Sequence, residues 1–131
     1  MASKRLKKSI GEKRLAIMQL LDAMNAKVEV PSYIESDPIQ FMYLYEAKQD
    51  RLVAGFFAAI MAWGRRDIVI AKVSELMERL DNRPHAFILS YDTKAFEAIQ
   101  GFKHRTFKAE DLDAFFIILK RIYQQYSDIE D

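Results

Sequence analysis

Cysteine is missing from all 131 residues, which excludes a disulfide framework, a thiolate nucleophile and any cysteine-built zinc or iron–sulfur centre. The redox compartment is therefore left open. Histidine is scarce, with only His85 and His104, far apart in the chain, so a histidine-based metal site is not expected. There is no glycine-rich phosphate cradle with a Walker-type lysine, no H-E-x-x-H pair and no G-x-S-x-G elbow. No cofactor is called for by any motif. The longest apolar run, Leu52 to Trp63, falls well short of the ~20 residues that a membrane span needs. Basic residues stand at the N-terminus without an adjacent apolar stretch, so neither a secretory signal nor a transit peptide fits. These absences point to a cytoplasmic protein with no membrane partner and no catalytic constellation.

What is present is ample material for a core. Half of the residues are hydrophobic and 12% are aromatic, and a chain of this size buries about two-thirds of its unfolded surface. A single helical domain over 1–131 is expected. Charge is uneven beneath the net +1. Lys4, Arg5, Lys7, Lys8, Lys13 and Arg14 stand against Glu12 in the first fourteen residues, a balance of 6 − 1 = +5, which leaves −4 for the rest. The basic cluster suits phosphates or an acidic partner, with a solvated, frayed terminus as the alternative. The acidic tail Ser127–Asp131 would repel a phosphate backbone.

Apolar residues recur at helical spacing along the chain, without convincing strand alternation. Ser9 and Glu12 form an S-x-x-E capping box, and Ile10, Ile17, Leu21 and Met24 make the stripe of a first helix ending near Asn25–Lys27. Val28–Ser32 reads as an extended connection because Pro31 disfavours helix before it. Asp37-Pro38-Ile39-Gln40 opens a short second helix, with an N-cap acceptor, proline at the first position and glutamine completing the cap. Asp50–Trp63, uncharged from Leu52 onward, predicts a buried central helix covered on every face. Gly55, Ala58, Ala59 and Ala62 give it one small-residue side, and Gly64 suits its left-handed end. Asp67–Leu80 is amphipathic, with Val69, Val73, Leu76, Met77 and Leu80 inward. Pro84–Leu89 is a further short helix, Phe96 and Ile99 form a small buried face before Gly101, and Phe102–Phe107 reads as an irregular linker. The last helix spans Glu110–Tyr126, with Leu112, Phe115, Phe116, Leu119, Ile122, Tyr123 and Tyr126 on one stripe. The fold class is all-α: an irregular bundle of about five to seven helices around a central one.

Two basic constellations are candidate phosphate contacts. Arg65 and Arg66 lie between the central helix and the next helix N-terminus, where guanidinium groups and backbone amides together suit a phosphate. Pairing of one arginine with an internal carboxylate such as Asp37 is the structural alternative. Lys103, His104 and Arg105 form the second set, flanked by Phe102 and Phe107, with a solvated loop as the plainer reading. Trp63 invites base stacking, although its spacing from Phe56 and Ile60 reads as core. The carboxylates Glu35 with Asp37 and Glu110 with Asp111 sit at helix starts and read as caps.

Taken together, Glu35–Ile39, Ala54-Gly55-Phe56 with Ala58-Ala59, Ala62-Trp63-Gly64 with Arg66, Phe102 with His104–Phe107, and Asp111-Leu112 with Arg121-Ile122-Tyr123 resemble a family of uncharacterised bacterial proteins, of Bacteroidetes type. Members of that family look distantly similar to helix-hairpin-helix DNA glycosylases, in which a base is flipped out of the duplex for attack. The resemblance implies that this chain is the N-terminal part of a protein roughly twice as long, with the glycosylase-like part downstream. No L-P-G-type hairpin and no lysine matching a catalytic nucleophile occurs here, so no catalytic residue is carried over. Asp37, Gly55, Gly64, Arg66, His104 and Arg105 occupy motif positions. The implied function is a helical module of a nucleic-acid-associated protein, not catalytic alone, with a protein-interaction or scaffold module as the alternative. A half-protein should leave an apolar face uncovered and self-associate, or pair with its C-terminal half.

Overall fold

The computed structural model describes the backbone of residues 2–131 and side chains from Ser9 onward. Lys4, Arg5, Lys7 and Lys8, most of the N-terminal basic cluster, lie outside the described side chains. The chain divides into two compact units, Met1–Ile34 and Glu35–Asp131.

The first unit is helical. Helix α1 spans Ala2–Val28 and therefore starts well before Ser9. The residues ahead of Ser9 are mostly alanine, lysine, arginine and leucine, which carry high helix propensity and extend the helix past the capping box. Ile10, Ile17, Leu21 and Met24 are each more than half exposed. Helix α2, Pro31–Glu35, begins on the proline, whose fixed φ suits a first turn; the expected extended connection shrinks accordingly.

The second unit holds the core. Helix α3, Gln40–Tyr43, starts two residues later than expected and has Ile39 at its N-cap; the Asp37 carboxylate instead accepts the Ile39 N–H at 2.9 Å in the turn ahead of it. Gln40 reaches back to the Glu35 carbonyl at 2.9 Å. Helix α4, Lys48–Ile60, is the central helix: Val53, Ala54, Phe57, Ala58 and Met61 are buried. It is not covered all round, because Arg51 and Ala59 face solvent. The small-residue side does its work at Gly55, where a Cβ would stand 2.6 Å from Met42 Cγ. Glycine here leaves room for the Met42 side chain of α3.

Helix α5, Arg66–Arg79, buries Val69, Val73, Leu76 and Met77 as expected. Asp81 and Asn82, both with positive φ, end it. Helix α6, Pro84–Leu89, is tied to α4 by the Asp50 carboxylate, which accepts the His85 N–H at 3.0 Å. Helix α7, Phe96–Ile99, stops before Gly101 at φ +78°. The expected linker is instead a minimal hairpin, β1 Lys103–His104 and β2 Phe107–Lys108, antiparallel with His104 opposite Phe107 and Lys103 opposite Lys108. Helix α8, Ala109–Gln125, places Leu112, Phe116, Leu119 and Tyr123 in the core, whereas Tyr126, one residue beyond it, is exposed. Its start is capped by Asp111, which accepts the Lys108 N–H at 2.8 Å. Among the described residues there are thus eight helices, three of them only four or five residues long.

Aromatic edges lock the helices together. Phe57 meets Phe56 and Phe116 edge-on with centroids 5.3 Å apart in each pair, and Phe87 and Tyr91 pack on Phe116 at 5.4 and 5.0 Å. The acidic tail is pinned by Lys48, which pairs with Asp128 and with Glu130 at 2.6 Å, and the lysine holds the Asp128 carboxyl down at about 2. Burial raises three phenols: Tyr91, further raised by donating to Asp113; Tyr123, pushed up to about 12 with the Asp128 and Asp50 charges adding; and Tyr45, with a smaller push from Asp50. The folded state holds these protons more tightly than the unfolded chain, so their stabilising contribution is complete below pH ~10 and is lost as pH rises from there through ~12. Absorbance at 295 nm with parallel circular dichroism should show late-titrating tyrosines whose ionisation coincides with loss of helix. Ionisation of all six tyrosines near pH ~10 with the helical signal intact would contradict this packing.

Candidate phosphate-binding site

Two loops of the second unit converge. The first leaves α4: Met61 closes the helix, and Trp63 is no longer on it. The helical spacing from Phe56 and Ile60 fails for this reason, and the indole is 39% exposed rather than core. Gly64 follows at φ +109°, a conformation in which a side chain is strained. Arg65 and Arg66 come next, at the start of α5.

The second loop is the tip of the β1–β2 hairpin. Its left-handed residue is Arg105, at φ +54°, where glycine or asparagine would be the relaxed choice. From that backbone the guanidinium lies over the Trp63 ring, 5.1 Å from its centroid. It also fills the space at Gly64, where a Cβ would stand 3.2 Å from Arg105 Cζ. Gly64 thus serves both the turn and the close approach.

His104 does not face outward. It is 2% exposed, its Nε2 is 3.0 Å from the Met61 carbonyl oxygen, and its ring meets Trp63 edge-on at 5.8 Å. A carbonyl can only accept, so Nε2 carries the proton. The expectation that His104 touches phosphate is therefore corrected: a side chain sealed from solvent positions the two loops and does not meet a polyanion. Lys103 points away from His104, since successive residues of a strand alternate faces. It shares with Lys108 a shallow recess of about 220 Å³ that also includes Glu110.

Arg65 and Arg66 are held loosely. Arg65 pairs with Asp67 at 2.8 Å, and its guanidinium, followed by the backbone amides of Ile68 and Asp67, keeps the Asp67 carboxyl below the usual carboxylate range. Arg66 reaches Asp37, the alternative read from sequence, but only at 3.8 Å and with both side chains about half exposed. Exposed pairs of this kind contribute little to stability, so neither arginine is held firmly by its carboxylate. Asp37, Pro38, Ala62, Gly64, Arg66 and Val69 line a cleft of about 240 Å³ between the first loop and the Asp37-Pro38 segment. The structure thus gathers Arg65, Arg66 and Arg105 around Trp63 and Gly64, puts His104 beneath them and leaves Lys103 on the outer hairpin face. Among the described residues, no group of histidine, aspartate and glutamate side chains suits a metal ion, and no helix is long and apolar enough to cross a membrane.

No curated protein matches the chain and no solved structure does. A family does: residues 37–131 match the family described as "Protein of unknown function (DUF2400)". That stretch carries both loops and the whole of the core, and the chain belongs to this family.

Proposed function

We propose that the chain is a helical module of a nucleic-acid-associated, glycosylase-like protein, which holds the phosphate backbone and carries out no base chemistry by itself. The observation that carries the reading is Arg105: a left-handed arginine stacked on a half-exposed tryptophan. Such strain, of order 1–3 kcal/mol, persists where the surroundings over-determine it and clusters at binding sites. Arg105 and Arg66 supply the cations, Arg65 is a third once released from Asp67, and Lys103 is an outlying contact. Trp63 offers a face to an unpaired base.

Anisotropy titration of labelled duplex and single-stranded oligonucleotides at low and moderate salt tests this. Affinity should fall steeply with salt through counterion release, and each of Arg66→Ala and Arg105→Ala should lower the salt slope by about 1. Arg105→Gly is the sharper variant. It removes the cation–π contact, about 0.5–1 kcal/mol, but relieves a comparable backbone strain, so stability should stay nearly level while binding falls. No binding at low salt by the unaltered chain would sink the proposal.

The interaction-module reading has its own observation. Leu15, Ile17, Met18, Leu20, Leu21 and Met24 of α1 are all more than half exposed, an apolar surface of the kind that proteins cover by association. Light scattering during the same titrations separates the two: self-association without nucleic-acid binding favours the interaction module.

A further inference from the structure

On the second unit, away from the arginine loops, α8 and the segment joining α6 to α7 enclose a trough of about 530 Å³, within the range of small-ligand sites. One wall is a single face of α8. Asp113, Ile117, Lys120, Arg121 and Gln124 recur at helical spacing along it and span about 16 Å. The facing wall is Tyr91–Thr93 and Phe96.

The charges in this trough are not equivalent. Both carboxylates are already engaged by donors of the chain: Asp113 accepts the Tyr91 hydroxyl at 2.5 Å, and Asp92 accepts the Ala95 N–H at 2.9 Å. Among the described residues, the cations have no carboxylate partner. Lys120 Nζ donates to the Tyr91 carbonyl at 2.7 Å, so all three of these groups keep their charge, and among the described residues Arg121 makes no hydrogen bond or ion pair. Beside them Ile117 is 40% exposed and Phe96 is half-buried, an apolar floor left open to solvent. The lining carries two carboxylates and two cations, but Arg121 alone is left with its donors unused, and an unused guanidinium next to open apolar surface is the complement of an anionic head on an apolar body.

We infer that this trough binds a small organic anion, a carboxylate or phosphate on a planar or aliphatic body, with Arg121 and Lys120 holding the head and Phe96 and Ile117 the body. The site does not depend on the arginine loops.

Titrations of the full chain, followed by amide shifts in two-dimensional NMR, would use three probes: adenosine monophosphate, 2-naphthoate and inorganic phosphate. The organic probes should give saturable shifts at 91–96 and 113–124, fitted separately from any shifts at 62–66 and 103–107, and at the trough inorganic phosphate should bind at least about tenfold more weakly because it has no body to bury. Arg121→Gln should weaken both organic probes by about tenfold or more, and Ile117→Ser should weaken them without altering inorganic phosphate. Both positions are on the surface, and helical circular dichroism confirms that the variants fold. Arg105→Ala should leave the shifts at 91–96 and 113–124 unchanged, whatever it does to shifts at the arginine loops, which keeps failure here distinct from failure of the nucleic-acid reading. Binding of only one organic probe identifies the head group and supports the site. No saturation by either at about 1 mM, or inorganic phosphate binding as tightly as the organic anions, would overturn it.

Discussion

Phe57→Ala should cost about 3–5 kcal/mol, a large part of the ~5–15 kcal/mol that holds a domain folded. Phe57 has no exposed surface and stands where α4 meets α8. It touches Phe56 on its own helix and Phe115 and Phe116 on α8 through edge-to-face contacts at 5.3 to 6.4 Å. Truncation removes the apolar transfer term and leaves a cavity that rings fixed by their other neighbours cannot close. The aromatic pair terms, about 0.5–1.5 kcal/mol each, are lost as well. Urea denaturation should show the midpoint falling with the slope unchanged, and the melting temperature should drop by about 10–20 °C. A loss below about 1 kcal/mol would mean that α4 is not the core of the second unit.

His104→Ala should cost about 2–4 kcal/mol, combining lost core volume with the lost hydrogen bond to Met61. Its consequences reach the site. The Met61 carbonyl still accepts the Trp63 N–H at 2.8 Å, so the end of α4 keeps one of its two ties. The hairpin, however, loses the bond that fixes it to that end. Trp63 is the sole tryptophan, and its emission should move to longer wavelength as the ring loses both its edge contact with His104 and the overlying Arg105. His104→Phe separates the causes: it fills the volume but cannot donate, and should cost only about 1 kcal/mol. If His104→Ala leaves both stability and Trp63 emission unchanged, the histidine does not join the loops.

Particular residues show where sequence reasoning reached and where it stopped. The stripe on α8, the inward face of α5 and the central place of α4 were legible because each is a local periodicity, and burying a periodic apolar face is the dominant gain in folding. Helix starts were less so. Asp111 acts as a cap, as its placement suggests, but Asp37 bonds only Ile39 in the turn ahead of α3, whose N-cap is Ile39, and Ser9 does not cap, because strong helix formers upstream carry α1 past it. Trp63 was misplaced by the assumption that α4 continues; one helix end turned a core position into a surface one. His104 was assigned to the surface by its basic neighbours, since nothing local marks that strand alternation turns it inward while Lys103 and Arg105 stay out.

Composition and periodicity by themselves determined the helical class, the central segment and the absence of cysteine chemistry, because these depend on residue type and spacing within a few turns. Only the tertiary structure decided that Arg105 rests on Trp63 and Gly64, that His104 is sealed beneath them, and that Lys120 and Arg121 stand without carboxylate partners beside an open apolar floor. Those relations join residues some forty or thirty positions apart, through a backbone turn and a strand register that packing selects and no local pattern encodes.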